Sequence, residues 1–470
     1  MISRKTVYGI EIGLLFLVVN SIIAVVFKTN IAMCIFMAIA TIILLYKHNV
    51  ATVQYFIICT VFQNIYLIIF SGTMNGSETQ AIILLKEMII YVIAIVFIIK
   101  KIMVKPSLLE WITLFFGIEV MYNILYISNS VGLSIVSARQ IVVIFLAYYF
   151  GNAIIIQSDR DIEDIINLII IMALIVASMG LFIYFSNDTL WDKLGYGQYI
   201  FNKTGSTRYN YVSFYTFDLG RRMKRFVSIF ADPLACSHFL GLALMLLILL
   251  RKHRNLLTKT LVVFGLIFGL SKGSVVLIIC MIFVSNYSKI KSKLLKAVML
   301  VGCVVIGIYL LSYLTDYTES VQQASSVSNH FNSFLYGFKN MTLLGKGLDS
   351  AGYNAYIYGA EYFDSASTES FFSVCISQMG IVGVVTIYCF MILIVKKGYA
   401  LYKTYKNNYA LVTFILGISV IIESFFSSSS ISMLGTGIYF ALIGIVNNYV
   451  IEKHSDVSSN VGLKRRKQLC

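Results

Sequence analysis

About fourteen apolar runs follow one another along this chain, each long enough to cross the roughly 30 Å of hydrocarbon in a bilayer. They lie near 7–27, 30–46, 50–70, 81–99, 107–127, 139–157, 164–185, 232–250, 256–270, 271–286, 297–314, 369–395, 409–428 and 435–451. Lipid offers the backbone no hydrogen-bond partners, so such runs must satisfy their own as helices. The predicted fold is therefore all-α and polytopic, a single membrane domain over 1–470. Composition agrees, because 59% hydrophobic residues and 13% charged ones cannot cover a water-facing surface. The only prolines are Pro106 and Pro233, so most helices are expected to run unkinked. The first run, 7–27, is too long for a cleaved signal peptide, lacks a small-residue cleavage site and reads as a retained helix.

The net charge of +15 could serve nucleic acid or a membrane surface, and its placement decides between them. With the amino terminus inside, YKHN, KKIMVK, RKHRN, KIKSKLLK, KKGYALYKTYKNN and the basic stretch Lys464 to Lys467 all fall on the inner side. These segments carry most of the lysine and arginine. The positive-inside rule then puts both termini in the cytoplasm, with 452–470 as a cytoplasmic basic tail. The partner of this charge is anionic lipid, and no nucleic acid is expected. Cys34, Cys59, Cys236, Cys280, Cys303, Cys375 and Cys389 sit in apolar runs and Cys470 ends the chain. They read as buried small hydrophobes, with no disulfide framework and no CxxC metal pair.

This topology leaves two long loops outside, 186–231 and 315–368. The first ends in RRMKRFVSIFADP, whose Arg221, Arg222, Lys224 and Arg225 break the charge rule, as long translocated loops can. The cluster either anchors to headgroups or binds phosphate, for which the forked guanidinium is suited. In the second loop Ser328 can cap a short helix with Phe331, Phe334, Leu335 and Phe338 on one face, ended by Gly345 and Gly347. That face is expected on the membrane surface or on the other spans. His330 lies in its first turn, where the helix dipole disfavours imidazolium. Glu369 follows where the chain re-enters the membrane, either as a helix amino-terminal acid or as a functional carboxylate.

A short hairpin, GLSKGS at 269–274, sets Lys272 at the outer boundary, where it either snorkels or joins a site. Arg139 begins a span at its outer end. Convergence of these loops would combine arginines, a lysine, a neutral histidine and a carboxylate, chemistry suited to transfer from a lipid diphosphate. Lys86, Glu87, Glu119 and Glu423, like Arg139, lie within spans, where ionisable groups are functional candidates by default, but no specific role follows for these four; His238 lies just inside the outer end of its span. Asp159-Arg160-Asp161 is a DxD sequence, yet at the inner start of a span it reads as helix capping rather than a metal site.

The run from Arg225 to Pro233, RFVSIFADP, followed by LACSHFLG, resembles the R-x-x-G-x-F-x-(D/N)-P signature of the O-antigen polymerase and O-antigen ligase superfamily. SKGS resembles that family's Ser-Arg-Gly motif. His330 through GKGLDSAG to ESFFSVCISQMGIVG resembles its long external loop and following helix. Order and spacing agree over 139–395, with Ser228 where the family has glycine and Lys272 where it has arginine. The resemblance implies a GT-C-like membrane glycosyltransferase that needs no metal or other cofactor and faces outward from a bacterial cytoplasmic membrane. Its donor would be an undecaprenyl-diphosphate-linked glycan. Its acceptor would be a second such unit for a polymerase, or lipid A core for a ligase. Arg225, with Lys272, Arg221, Arg222 and Arg139, would hold the diphosphate, and His330 or Glu369 would deprotonate the acceptor hydroxyl. Tyr353, Tyr356, Tyr358 and Tyr362 suit either sugar stacking or an aromatic belt. A chain-length regulator and a flippase of the same pathway are the protein partners implied. The competing readings are a lipid-linked oligosaccharide flippase, for which short loops and repeated halves would be usual, and a non-catalytic scaffold. No internal repeat is visible.

Overall fold

The computed structural model describes residues 49–205, 214–218, 221–250, 256–287, 290, 292, 326–339, 341–352, 370–428 and 431–467. The runs at 7–27, 30–46 and 297–314, Glu369 and the four loop tyrosines lie outside the described residues. In chain order the helices are α1 (Asn49–Ile69), α2 (Gly76–Val104), α3 (Leu108–Tyr122, continued by a π-helical turn, Asn123–Ile127), α4 (Val131–Ala153) and α5 (Asp159–Phe185). Two short helices follow, α6 (Thr189–Leu194) and α7 (Tyr196–Thr204), then an antiparallel hairpin of β1 (Tyr215–Asp218) and β2 (Arg221–Lys224). The remainder is α8 (Pro233–Leu249), α9 (Leu256–Gly269), α10 (Lys272–Tyr287), α11 (Ser326–Lys339), α12 (Phe371–Tyr405), α13 (Asn408–Ser424) and α14 (Gly437–Lys467).

Among the described residues, α1 to α5 and α12 are the six helices long and apolar enough to cross a membrane, while α8, α9, α10 and α13 are apolar but shorter. Large apolar side chains stay uncovered along α2 and α3, among them Ile95, Ile99, Phe115 and Ile118. Water would penalise such a surface and hydrocarbon would not, so the chain is a membrane-embedded all-α protein. A groove of about 660 Å³ between α2 and α3, lined by Ile99, Ile118, Met121 and Tyr122 among others, belongs to this apolar surface.

Short polar turns reverse the chain, and their residues cap the next helix. Asn75 and Glu78 form a reciprocal capping box at α2, as do Ser158 and Asp161 at α5. At α8, Asp232 accepts from the Leu234 and Ala235 amides with Pro233 at the first helical position. The turns gather at two ends. At one, the Asn202 side chain donates to Ser71 O at 2.9 Å, the Ser130 amide to Asp349 Oδ2 at 2.7 Å, and Gln140 Nε2 to Ile431 O at 3.1 Å. At the other, Asp159 accepts from Tyr449 and Lys453, each at 2.6 Å. Between them the helices approach closely where side chains are small: a Cβ on Gly151 or Gly444 would overlap the backbone of the facing helix, α14 or α4.

Four expectations need correction. The run at 369–395 is not one straight span, because Gly380 (φ 70°, ψ −164°) breaks α12. The freed backbone groups pair with the chain at 342–347: Ile381 N donates to Thr342 O (2.9 Å), and Lys346 N to Ser377 O (2.7 Å). Helix α11 ends at Lys339, and Ser328 lies inside it rather than before it. Gly345 and Gly347, at φ 82° and 111°, instead shape the chain that pairs with α12. The apolar face of α11 meets helices, with Phe334 5.3 Å from Phe372 and 5.6 Å from Phe425 between ring centroids. Arg139 is not at the start of its span but well inside α4, where its Nε meets Glu87 Oε2 at 3.0 Å. Finally, 452–467 is not simply a tail, since α14 continues through it to Lys467.

Candidate functional site

The stretch that opens the charge puzzle is built residue by residue into a bend between the hairpin and α8. Strand β2 pairs Arg221 with Asp218 and Lys224 with Tyr215. Lys224 is committed to the end of α5, its Nζ 3.0 Å from Asp188 Oδ1 and 2.9 Å from Ser186 O. Arg225 then leaves the strand. Its amide donates to Phe214 O at 2.8 Å and its Nε to Gly269 O at 3.2 Å. Phe226 anchors the bend: its amide donates to Phe268 O at 2.9 Å, and its buried ring occupies the space that side chains on Gly180 and Gly265 would fill.

Ser228 follows at φ 48°, in the left-handed region that glycine tolerates and other residues rarely adopt. Its hydroxyl donates to Val176 O at 2.6 Å, and the side chain is fully buried. That hydrogen bond offsets the strain of the left-handed backbone there. Ala231 is also left-handed at φ 48°, and Asp232-Pro233 opens α8.

Gly269 ends α9 and Lys272 opens α10, so the expected hairpin is a turn of Leu270 and Ser271. Leu270 is left-handed at φ 48°, and Ser274 Oγ donates to Ser271 O at 2.9 Å. The Arg225 contact with Gly269 therefore joins two of the sequence motifs at one place. Helix α11, which carries His330, packs its Phe334 on Phe425, two residues past Glu423, and the Glu423 carboxylate lies against Gly273.

Of the residues expected in the site, the structure thus brings Arg225 to the turn that carries Lys272. Arg221 and Arg222 enter as backbone positions of β2 and His330 as one of α11; their side chains, and all of Glu369, lie outside the described residues. Arg139 is engaged by Glu87, which also accepts from Tyr91 OH at 3.1 Å, so it is matched inside the bundle rather than presented at the turn. Asp159 is bound to Tyr449 and Lys453 at the opposite end; its hydrogen bond raises the Lys453 pKa above the ordinary lysine value. Among the described residues, no group of three or more His, Cys, Asp or Glu is arranged to hold a metal ion.

Sequence reasoning gave no role to His238 and Glu423, which form a buried pair at 2.6 Å beside this turn. The only available signal was that both are ionisable residues in apolar runs. Comparison with models of known protein families and with curated proteins finds no match to this chain.

Proposed function

We propose that this protein is a membrane glycosyltransferase that polymerises undecaprenyl-diphosphate-linked oligosaccharide repeat units into a surface polysaccharide. The reading includes about fourteen spans, both termini in the cytoplasm, and the loops 186–231 and 315–368 on the outer face of a bacterial cytoplasmic membrane. The observation that carries it is the hydrogen bond from Arg225 to the turn bearing Lys272, which puts two cationic residues from separate motifs in one neighbourhood. The left-handed backbone at Ser228 adds support, since it gives the family signature's glycine a physical reason.

In the proposed reaction, the acceptor hydroxyl oxygen attacks the anomeric carbon opposite the diphosphate. The new glycosidic bond forms as the bond to the leaving oxygen breaks, its electron pair stays with the diphosphate, and configuration inverts. Arg225 and Lys272 stabilise the charge that develops there, with Arg221 and Arg222 as further diphosphate contacts. His330 or Glu369 takes the hydroxyl proton. Polymerisation is tested by reconstituting the purified protein with a single lipid-linked repeat unit as donor and acceptor. A ladder of products is expected. In a parallel reaction supplied with lipid A core, extension of that acceptor alone would indicate a ligase, and movement of intact units across the bilayer without new bonds would indicate a flippase.

A further inference from the structure

The turn between α9 and α10 is gripped at both of its glycines. On α8, Ser237 Oγ occupies the place of a side chain on Gly269; on α13, the Glu423 carboxylate occupies that of a side chain on Gly273. A Cβ at either glycine would overlap the gripping group. Next to Ser237, His238 ties the two grips together, its Nε2 2.6 Å from Glu423 Oε1. The ring cannot turn away without loss, because Nδ1 lies 2.7 Å from Leu234 O. Both side chains are almost fully buried, His238 at 1% exposure and Glu423 at 3%. The backbone is pinned as well: Tyr439 OH on α14 donates to His238 O at 2.6 Å, and the Phe426 and Ser427 amides donate to Glu423 O at 2.9 Å.

A buried carboxyl group without a partner is expelled or left unsatisfied, whereas one that shares a hydrogen bond with an imidazole ring can be kept in a fixed place. Here that fixed place is the missing side chain of Gly273, immediately after Lys272. We infer that the buried His238–Glu423 pair is a positioning latch that holds the Gly269–Gly273 turn, and through it the relative placement of Lys272 and Arg225. Neither latch residue touches substrate in this scheme. The catalytic consequence rests on the glycosyl-transfer reading; the structural one does not.

The test reads the turn directly, in full-length protein in detergent with the native cysteines replaced and a single Leu270→Cys probe at the turn. Glu423→Ala is expected to raise the maleimide-labelling rate about fivefold or more, while Glu423→Gln, which keeps the volume and a hydrogen bond to neutral His238, stays within about twofold of the parent. Gly273→Ala, which displaces the carboxylate without removing it, is expected to raise the rate too and carries the test if Glu423→Ala does not fold. In Gly273→Ala/Glu423→Ala the overlap is gone, so the two effects on log rate are expected to be less than additive.

Without the probe, Glu423→Ala is expected to lower kcat about tenfold or more with the donor KM within about twofold, as misplacement of a reacting group does. Parent-like labelling in both Glu423→Ala and Gly273→Ala, or strict additivity, would overturn the latch. Altered labelling in a protein whose parent forms no glycosidic product would leave the latch standing and remove the glycosyl-transfer reading instead.

Discussion

Arg225 and Ser228 sit three positions apart and do different work. The Arg225 side chain reaches out to the turn at Gly269, whereas Ser228 is turned into the bundle to satisfy Val176 O. If the guanidinium stabilises the departing diphosphate more than the bound donor, Arg225→Ala lowers kcat by about 10² to 10³, roughly 3 to 4 kcal/mol, with a much smaller change in donor affinity. Arg225→Lys keeps the charge, loses the fork and recovers only part of the rate. Single-turnover transfer at matched expression checks both, and a near-parental rate for Arg225→Ala would make this arginine a headgroup anchor. At Ser228 the prediction concerns stability. Ser228→Gly relieves a left-handed backbone but loses one buried hydrogen bond, two effects of about 1 kcal/mol and opposite sign, so its melting temperature should stay close to the parent's. Ser228→Val loses the hydrogen bond and adds β-branching at positive φ; a cost above about 2 kcal/mol is expected in thermal melts in detergent. Arg225 and Ser228 were legible in the sequence as parts of one run, but the left-handed backbone at Ser228 was not, because the identity of a serine does not reveal the dihedral angle it adopts.

The long apolar helices among the described residues were legible because hydropathy and length determine them, and the acids at the start of α5 were readable as capping residues. Their interruptions were not. Apart from Gln378, QMGIVG carries no polar side chain, so its hydropathy does not distinguish a broken helix at Gly380 from a continuous one, and the chain that repairs the break lies more than thirty positions upstream. The His238–Glu423 contact spans 185 positions and is equally invisible to local patterns. The β1–β2 hairpin is too short to show a clear alternation. Gly380 offers a sharp test of this element. A Cβ there would overlap the Gly345 amide and Leu343 carbonyl at a φ that disfavours any side chain, so Gly380→Ala is expected to cost at least about 2 kcal/mol in thermal unfolding. Gly117→Ala is the matched control, since nothing lies within 4 Å of its Cβ and helix propensity favours alanine by about 0.5 to 1 kcal/mol. Equal melting temperatures for the two variants would mean that the pairing of 342–347 with α12 contributes little.

The whole molecule has two polar ends, and the proposed reaction requires the Arg225–Lys272 end to face outside. That end also carries α7, directly after α6, the chain at 342–352, and Ser428 and Ile431, joined by the Asn202, Asp349 and Gln140 hydrogen bonds, so its parts must share one side of the membrane. Exposed positions are available at both ends: Lys193 and Lys346 at this one, and Lys403 at the other. In a background without native cysteines, Lys193→Cys and Lys346→Cys should react with a membrane-impermeant maleimide in intact cells, and Lys403→Cys only after permeabilisation. Ser350 would be a poor probe despite its loop position, because it is 4% exposed and donates to Gly347 O. The reverse pattern would put Arg225 in the cytoplasm and end the outward-facing transfer reading, leaving the fold intact. A split result, with 193 and 346 on opposite sides, would contradict the fold itself. In the proposed orientation charge, rather than packing, sets the direction: the basic turns, including Lys403 and Lys406, stay inside, and RRMKR is the exception carried by the outer loop 186–231. Removing positive charge at the Lys403 end, and not at Arg221 to Arg225, should therefore be what weakens the orientation, and the same labelling pairs would report it.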